Sequence, residues 1–247
     1  MRTAWITGAS SGIGRQMALR LAQDGMHVVA SARTAEALAT LEQQGNGRIA
    51  AWPVDVVDRD QVARAVAGIE RAHGRIDLAI LNAGTHRPMS ADDFSTETLG
   101  SLIDVNLMGV ANCLEALLPR MRARRSGHIA VVASLAGYRG LPTAAAYGAS
   151  KAAVINLCEA LKPDCDRAGI KLQLVDPGFI DTPLTRRNEF KMPFLMPVES
   201  ACEAFICGLR SNRFEIVFPR GFAAIMKTMR ILPYRLYFAV VRKQTGK

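Results

Sequence analysis

The chain has 247 residues, 49% hydrophobic and 21% charged, which is an ordinary globular composition. A chain of this length buries roughly 70–75% of the surface its unfolded form exposes, which excludes intrinsic disorder, a collagen-like repeat and a disulfide-stapled miniprotein. The net charge of +9 is concentrated at one end: seven Lys or Arg and no Asp or Glu occur from Ile216 to Lys247, leaving the preceding 215 residues at +2.

Short, nearly continuous apolar runs alternate with longer helical stretches. In chain order, strands are predicted at Ala4–Thr7, His27–Ser31, Ile49–Pro53, Leu78–Leu81, His128–Ala133 and Lys171–Val175. Helices are predicted between them at Ile13–Asp24, Thr34–Gln44, Asp58–Ala72, Leu99–Arg122 and Ala145–Arg167. Strands that do not alternate with polar residues are buried on both faces, as in a parallel sheet covered by helices. The expected architecture is a Rossmann-type, doubly wound parallel sheet in three layers, folded as a single α/β domain with right-handed crossovers. Residues 1–218 are assigned to this domain, including a substrate loop at about 183–197, and 219–247 to a basic amphipathic extension.

The five cysteines (Cys113, Cys158, Cys165, Cys202 and Cys207) are odd in number and contain no C-x-x-C pair. They argue against a zinc knuckle or a complete disulfide framework, and for buried thiols in a reducing compartment. The first strand follows Met1-Arg2 at once, with no room for a signal-peptide apolar region, so a cytoplasmic location is expected. His27, His73, His86 and His128 are scattered and read as structural or exposed, and no metal-ligand cluster is visible.

The first strand runs into Thr7-Gly8-Ala9-Ser10-Ser11-Gly12-Ile13-Gly14 and then a helix. Glycines there allow positive φ and close backbone approach, while the helix start offers unpaired N–H groups to a pyrophosphate. Further on, Tyr147 and Lys151 are spaced to share one helix face. A free tyrosine has a pKa of ~10. An ammonium one turn away is expected to lower it by ~1–3 units, toward useful proton exchange at neutral pH.

The motif Thr7–Gly14 resembles the cofactor turn of the short-chain dehydrogenase/reductase family. The likeness continues in order through Asp55-Val56, Asn82-Ala83-Gly84, Asn106, Ser134, Tyr147-Gly-Ala-Ser-Lys151 and Pro177-Gly178-Phe-Ile180-Asp-Thr182. It covers roughly residues 3–217. The resemblance implies hydride transfer between a nicotinamide and a carbonyl or alcohol carbon. In that reading Tyr147 passes the proton, Ser134 orients the reacting oxygen, and Lys151 both tunes Tyr147 and binds the nicotinamide ribose. Asn106 anchors a water that relays protons to Lys151. The cofactor lies against Gly8, Ser10, Ser11, Gly12, Ile13 and Gly14, with Asp55 and Val56 at the adenine and Asn82, Ala83 and Gly84 at its centre. Pro177, Gly178, Ile180 and Thr182 close the nicotinamide end. The family also implies a homodimer or homotetramer, with a small-molecule partner rather than nucleic acid.

The second strand ends Ser31-Ala32-Arg33, where an NAD enzyme usually carries Asp or Glu. Arg33 suits a 2′-phosphate, so NADP(H) is favoured over NAD(H). An apolar cluster, Met192-Pro193-Phe194-Leu195-Met196, falls in the substrate loop and favours a lipophilic aldehyde or ketone. A catalytically silent nucleotide-binding protein on this fold, and an epimerase-type enzyme, are the competing readings. Beyond Pro219, Phe222, Ile225, Met226 and Met229, then Tyr234, Tyr237, Phe238 and Val241, fall at helical spacing beside basic residues. Such helices suit packing on the domain or a partner subunit, peripheral contact with the inner face of an anionic membrane, or an acidic acyl carrier. Lys162-Pro163-Asp164 is expected to end or kink the helix that carries Tyr147.

Overall fold

Apolar runs buried on both faces can pair side by side only if helices cover them, and the computed structural model, which describes residues 2–187 and 192–245, has that arrangement. Seven strands form one parallel sheet: β1 (Thr3–Thr7), β2 (His27–Ser31), β3 (Ile49–Ala51), β4 (Ile76–Leu81), β5 (Gly127–Val132), β6 (Ile170–Pro177) and β7 (Glu215–Phe218). Their spatial order is β3-β2-β1-β4-β5-β6-β7. The chain therefore winds outward from β1 to β3, then returns to place β4 on the other side of β1. That reversal opens a crevice at the carboxyl ends of β1 and β4, where ligands bind in sheets of this kind.

Helices α1 (Gly12–Gln23), α2 (Ala35–Gln44) and α7 (Val198–Arg210) cover one face, burying Met17, Leu21, Leu38, Leu41, Phe205 and Leu209 in a common cluster. The opposite face is covered by α3 (Arg59–His73), α5 (Gly109–Ala123) and α6 (Ala145–Arg167), through Val66, Ile69, Leu114, Leu117, Val154 and Cys158. Before α5, α4 (Thr96–Ile103) passes through a π turn at Asp104–Met108, making one continuous helical run from Thr96 to Ala123. The run is long and apolar enough to cross a membrane, but Val110, Leu114, Leu117 and Met121 are buried inside the protein.

The structure departs from expectation in three places. The short edge strand β7 and helix α7 were not anticipated, and α6 does not end at Pro163 but continues to Arg167. Pro163 is exposed, so the backbone carbonyl it cannot serve can be satisfied by water. The C-terminal segment forms α8 (Arg220–Ile231) and α9 (Tyr234–Thr245), broken at Pro233 as the sequence suggests. Phe222 and Met226 of α8 join the second of the two clusters, and Tyr237 and Val241 of α9 pack with Met229. Four of the five cysteines are buried and Cys207 is exposed; all are free thiols. Asn188, Glu189, Phe190 and Lys191 of the expected substrate loop lie outside the described residues, as do Gly246 and Lys247 of the expected basic extension.

Candidate active site

The glycine turn is shaped by what lies immediately behind it. Gly8 and Gly12 adopt φ of +66° and +54°. A side chain at Gly14 would bring its Cβ to 2.3 Å from the Gly8 carbonyl oxygen and 2.5 Å from Asn82 Nδ2. The Asn82 amide donates to the carbonyls of Thr7 (3.2 Å) and Gly8 (3.0 Å), while Thr7 Oγ1 accepts from the backbone N–H of Asn82 and Ala83. Asn82-Ala83-Gly84 after β4 thus laces the turn after β1 into place. Ser11 caps α1 with extended backbone and no side-chain hydrogen bond to it, which leaves the first helical N–H groups to serve an anion. A cradle that excludes any Cβ, beside an uncapped helix start, fits a dinucleotide pyrophosphate.

A cleft of about 370 Å³ runs from this turn along the carboxyl edge of the sheet. The structure brings nearly every expected residue into its wall: Arg33, Asp55 and Val56 at one end, Ser134, Tyr147 and Lys151 in the middle, and Pro177, Gly178, Ile180 and Thr182 beyond. Thr34, Thr85, Val105, Leu184 and Thr185 also line it and were not anticipated. Gly14 and Asn106 are not part of the lining. Arg33 is exposed and has no carboxylate partner among the described residues. Arg15, on α1, is committed to Gln44 of α2. Asp55 turns back on its own loop, accepting from the Val57 N–H at 3.1 Å.

Ser134 follows β5 and caps a short 3-10 turn, accepting from the Ala136 N–H at 3.1 Å. Its hydroxyl donates to the Pro177 carbonyl at 3.4 Å and stands near enough to Tyr147 to favour its phenolate. Lys151 is buried and donates to the Val132 carbonyl at 2.9 Å, with its Nζ 5.8 Å from the centre of the Tyr147 ring. The expected depression of the Tyr147 pKa is not found. Burial pushes it up, a nearby Asp176 adds to the rise, and only the Ser134 hydroxyl opposes it. Burial likewise lowers the Lys151 ammonium to about 8, partly countered by Asp176. At this separation desolvation outweighs the attraction between phenolate and ammonium.

Asn106 sits in the π turn and is fully buried. Its Oδ1 accepts from the Thr85 N–H at 2.7 Å, and its Nδ2 donates to Thr85 O (3.0 Å) and Ser150 Oγ (2.9 Å). Both amide hydrogens are therefore spent on protein groups, and the side chain braces the Thr85 loop against α6.

Two neighbours of the site escaped the sequence reading. His86, read as structural or exposed, stands edge-on to the Tyr147 ring with centroids 4.8 Å apart. Asp176 is completely buried, one of its oxygens has no hydrogen-bond partner, and its pKa is raised to about 7. Burial is the main cause and Glu215 the next, opposed by a backbone bond from Ser134, by Lys151 and by Tyr138. A carboxylate following the apolar Leu174-Val175, just before Pro177-Gly178, was the available signal. Among the described residues no group of His, Cys, Asp or Glu could hold a metal ion.

A family model described as short chain dehydrogenase matches residues 2–192. The chain belongs to the short-chain dehydrogenase family. Members of it are NAD(P)-dependent oxidoreductases, as this chain is. An uncharacterized oxidoreductase of Myxococcus xanthus is 37% identical over 98% of this chain and 97% of its own length. A 3-oxoacyl-acyl-carrier-protein reductase of Thermotoga maritima is 36% identical over 74% of this chain and 75% of its own. Among solved structures, a short-chain dehydrogenase from Streptomyces avermitilis superposes with a TM-score of 0.86 at 27% identity, covering 99% of this chain and 98% of that one. A short chain dehydrogenase/reductase from Burkholderia phymatum, in complex with NAD, gives 0.84 at 26% identity and 92% coverage of each chain. The seven-stranded parallel sheet of this short-chain dehydrogenase, with helices on both faces, is the expected Rossmann-type fold.

Proposed function

We propose that this short-chain dehydrogenase is an NADP(H)-dependent carbonyl reductase or alcohol dehydrogenase acting on lipophilic aldehydes, ketones or the corresponding alcohols. The observation that carries the reading is the convergence of Ser134, Tyr147 and Lys151 on one cleft that also contains the glycine cradle. The bound nicotinamide would supply the hydride to the carbonyl carbon, or accept it from the alcohol carbon. Ser134 holds the substrate oxygen by a hydrogen bond, and Tyr147 gives that oxygen its proton in reduction or takes it back in oxidation. Lys151 binds the nicotinamide ribose and favours the phenolate as Tyr147 loses its proton. Asn106 acts as a positioning residue through Thr85 and Ser150.

The preference for NADP(H) rests on Arg33, which is exposed at the cleft beyond β2 where a carboxylate would otherwise meet the ribose. A guanidinium without a carboxylate partner can clamp a 2′-phosphate by charge-assisted bonds. The lipophilic substrate class is supported by stacked rings that pack behind Gly178 of the cleft lining. Phe222 lies 5.5 Å from Phe179 and 5.9 Å from Phe194, and a Cβ on Gly178, in the cleft lining, would come within 2.9 Å of Phe222.

The test is a screen of medium-chain aldehydes, ketones and alcohols with NADPH and NADH, followed by cofactor absorbance. Turnover of an apolar carbonyl with NADPH at higher kcat/KM than with NADH is the expected result. Absence of turnover with every carbonyl and alcohol, despite cofactor binding, would favour a silent nucleotide-binding role.

A further inference from the structure

We propose that the C-terminal segment α8–α9 is a docking surface for an anionic lipid bilayer, holding the side of the protein that Phe222 shares with the cleft lining at the membrane face. Ten large apolar side chains are exposed among the described residues, and five of them fall between 225 and 238. They are Ile225, Ile231, Tyr234, Leu236 and Phe238, at 46%, 81%, 72%, 56% and 50% exposure. Two more, Phe194 and Leu195, belong to the loop that Phe222 of α8 stacks against. Scattered exposed apolar residues are ordinary, but a concentration of this kind marks a surface that meets something apolar.

The charge of the same segment names the partner. Arg220, Lys227, Arg230, Arg235, Arg242 and Lys243 are all exposed, and residues 216–247 contain no carboxylate side chain. Lys227 is neutralised by Glu215, and Arg230 lies over the Tyr138 ring. Arg220, Arg235, Arg242 and Lys243 have no ion pair among the described residues. Apolar side chains interleaved with unneutralised basic ones suit lipid tails beneath anionic headgroups. A second copy of this chain would instead bring like charges together.

The exposed side chains are presented on a fixed platform. Arg139 donates to the carbonyls of Met229, Arg230 and Leu232 at 2.9, 2.8 and 2.7 Å, closing the end of α8. Its guanidinium also sits 4.2 Å over the Tyr237 ring and 4.9 Å over that of Tyr234. Tyr237 in turn donates to the Gly140 carbonyl. Tyr237 and Val241 of α9 are thus used up in holding that helix down, and Tyr234 and Phe238 stack on each other at 6.0 Å. Because Phe222 at the start of α8 backs the cleft, one helix joins the outward surface to the substrate side.

The experiment is co-sedimentation of the full chain with vesicles of phosphatidylcholine alone and of phosphatidylcholine with 30% phosphatidylglycerol. Partitioning to the anionic vesicles is expected to exceed that to the neutral ones at least tenfold, and to weaken as salt screens the headgroups. Each basic residue near such a surface contributes about fivefold, so R235A/R242A/K243A should lose on the order of a hundredfold. The double variant I231S/L236S, altered only at exposed side chains, should lose binding to both vesicle types while keeping its melting temperature. Equal partitioning to neutral and anionic vesicles, or none to either, overturns the proposal. So does a dimer in light scattering that I231S/L236S dissociates, which would make a second copy the occupant. Sedimentation needs no turnover, so this result is independent of the redox reading.

Discussion

The hydroxyl of Tyr138 reaches Asp176 Oδ2 at 3.4 Å and also donates to Glu215, so two carboxyl groups are joined through one phenol beneath the candidate active site. Glu215 is paired on its outer side with Lys227 of α8. On its inner side, Asp176 supports the charge of Lys151, whose ammonium burial has weakened to about 8. The charge state of the cleft is therefore coupled to groups that do not line it.

The first prediction concerns Asp176→Asn. The folded carboxyl titrates at about 7 against 3.8 in an unfolded chain, so between these values the folded protein holds the extra proton. Stability contributed by this group is therefore present below about 4 and lost as pH rises toward about 7. Thermal melts should show the variant gaining on the parent across that window. Because the Asp176 charge raises the Lys151 pKa, the variant should also show the alkaline limb of its pH–rate profile at lower pH. Several-fold activity should be lost above pH of about 8 as the ammonium form is depleted.

Replacing Tyr147 by Phe removes the group assigned to proton transfer and leaves the cradle intact. Turnover should fall by about 10²–10⁴-fold, the usual contribution of a positioned acid–base group. NADPH binding, followed by fluorescence titration, should stay within about twofold of the parent.

Arg33→Asp should reverse cofactor choice. A charge-assisted hydrogen bond contributes about 1.5–3 kcal/mol, so the kcat/KM ratio of NADPH to NADH should drop by at least about tenfold. Steady-state kinetics with both cofactors at a fixed carbonyl substrate reads it directly. An unchanged ratio would remove Arg33 from the 2′-phosphate.

Two glycine substitutions separate backbone shape from helix propensity. Gly14→Ala drives a methyl group into the Gly8 carbonyl and should cost about 1–3 kcal/mol in denaturant melts, with cofactor affinity reduced. Gly100 lies within α4, and a methyl group added there would meet nothing within 4 Å, so Gly100→Ala should stabilise by about 0.5–1 kcal/mol.

The central strands, the glycine turn and the Tyr147–Lys151 spacing were legible because their physics is local, whereas the other cleft residues were legible only through the ordered family resemblance. Continuous apolar runs such as Val28–Ala30 admit one burial pattern, and the order of the glycine turn, Asn82-Ala83-Gly84 and Tyr147 to Lys151 follows the sheet edge. The edge strand β7 has only Glu215–Phe218 with partial burial, too little to distinguish from a loop. By contrast α7 was readable: Ala201, Cys202, Phe205, Ile206 and Leu209 carry the helical period. The π turn at Asn106 has no sequence signature, so its braced amide could not be foreseen. The Tyr147 shift depends on three-dimensional burial and on Asp176, neither of which spacing along one helix contains.

Arg139 follows Ser134 closely in the chain, yet it grips the far end of α8 through three carbonyls. One side chain is thus a mechanical tether between the serine turn and the end of α8. A load that tilts the end of α8 is therefore borne in part by the segment that follows Ser134.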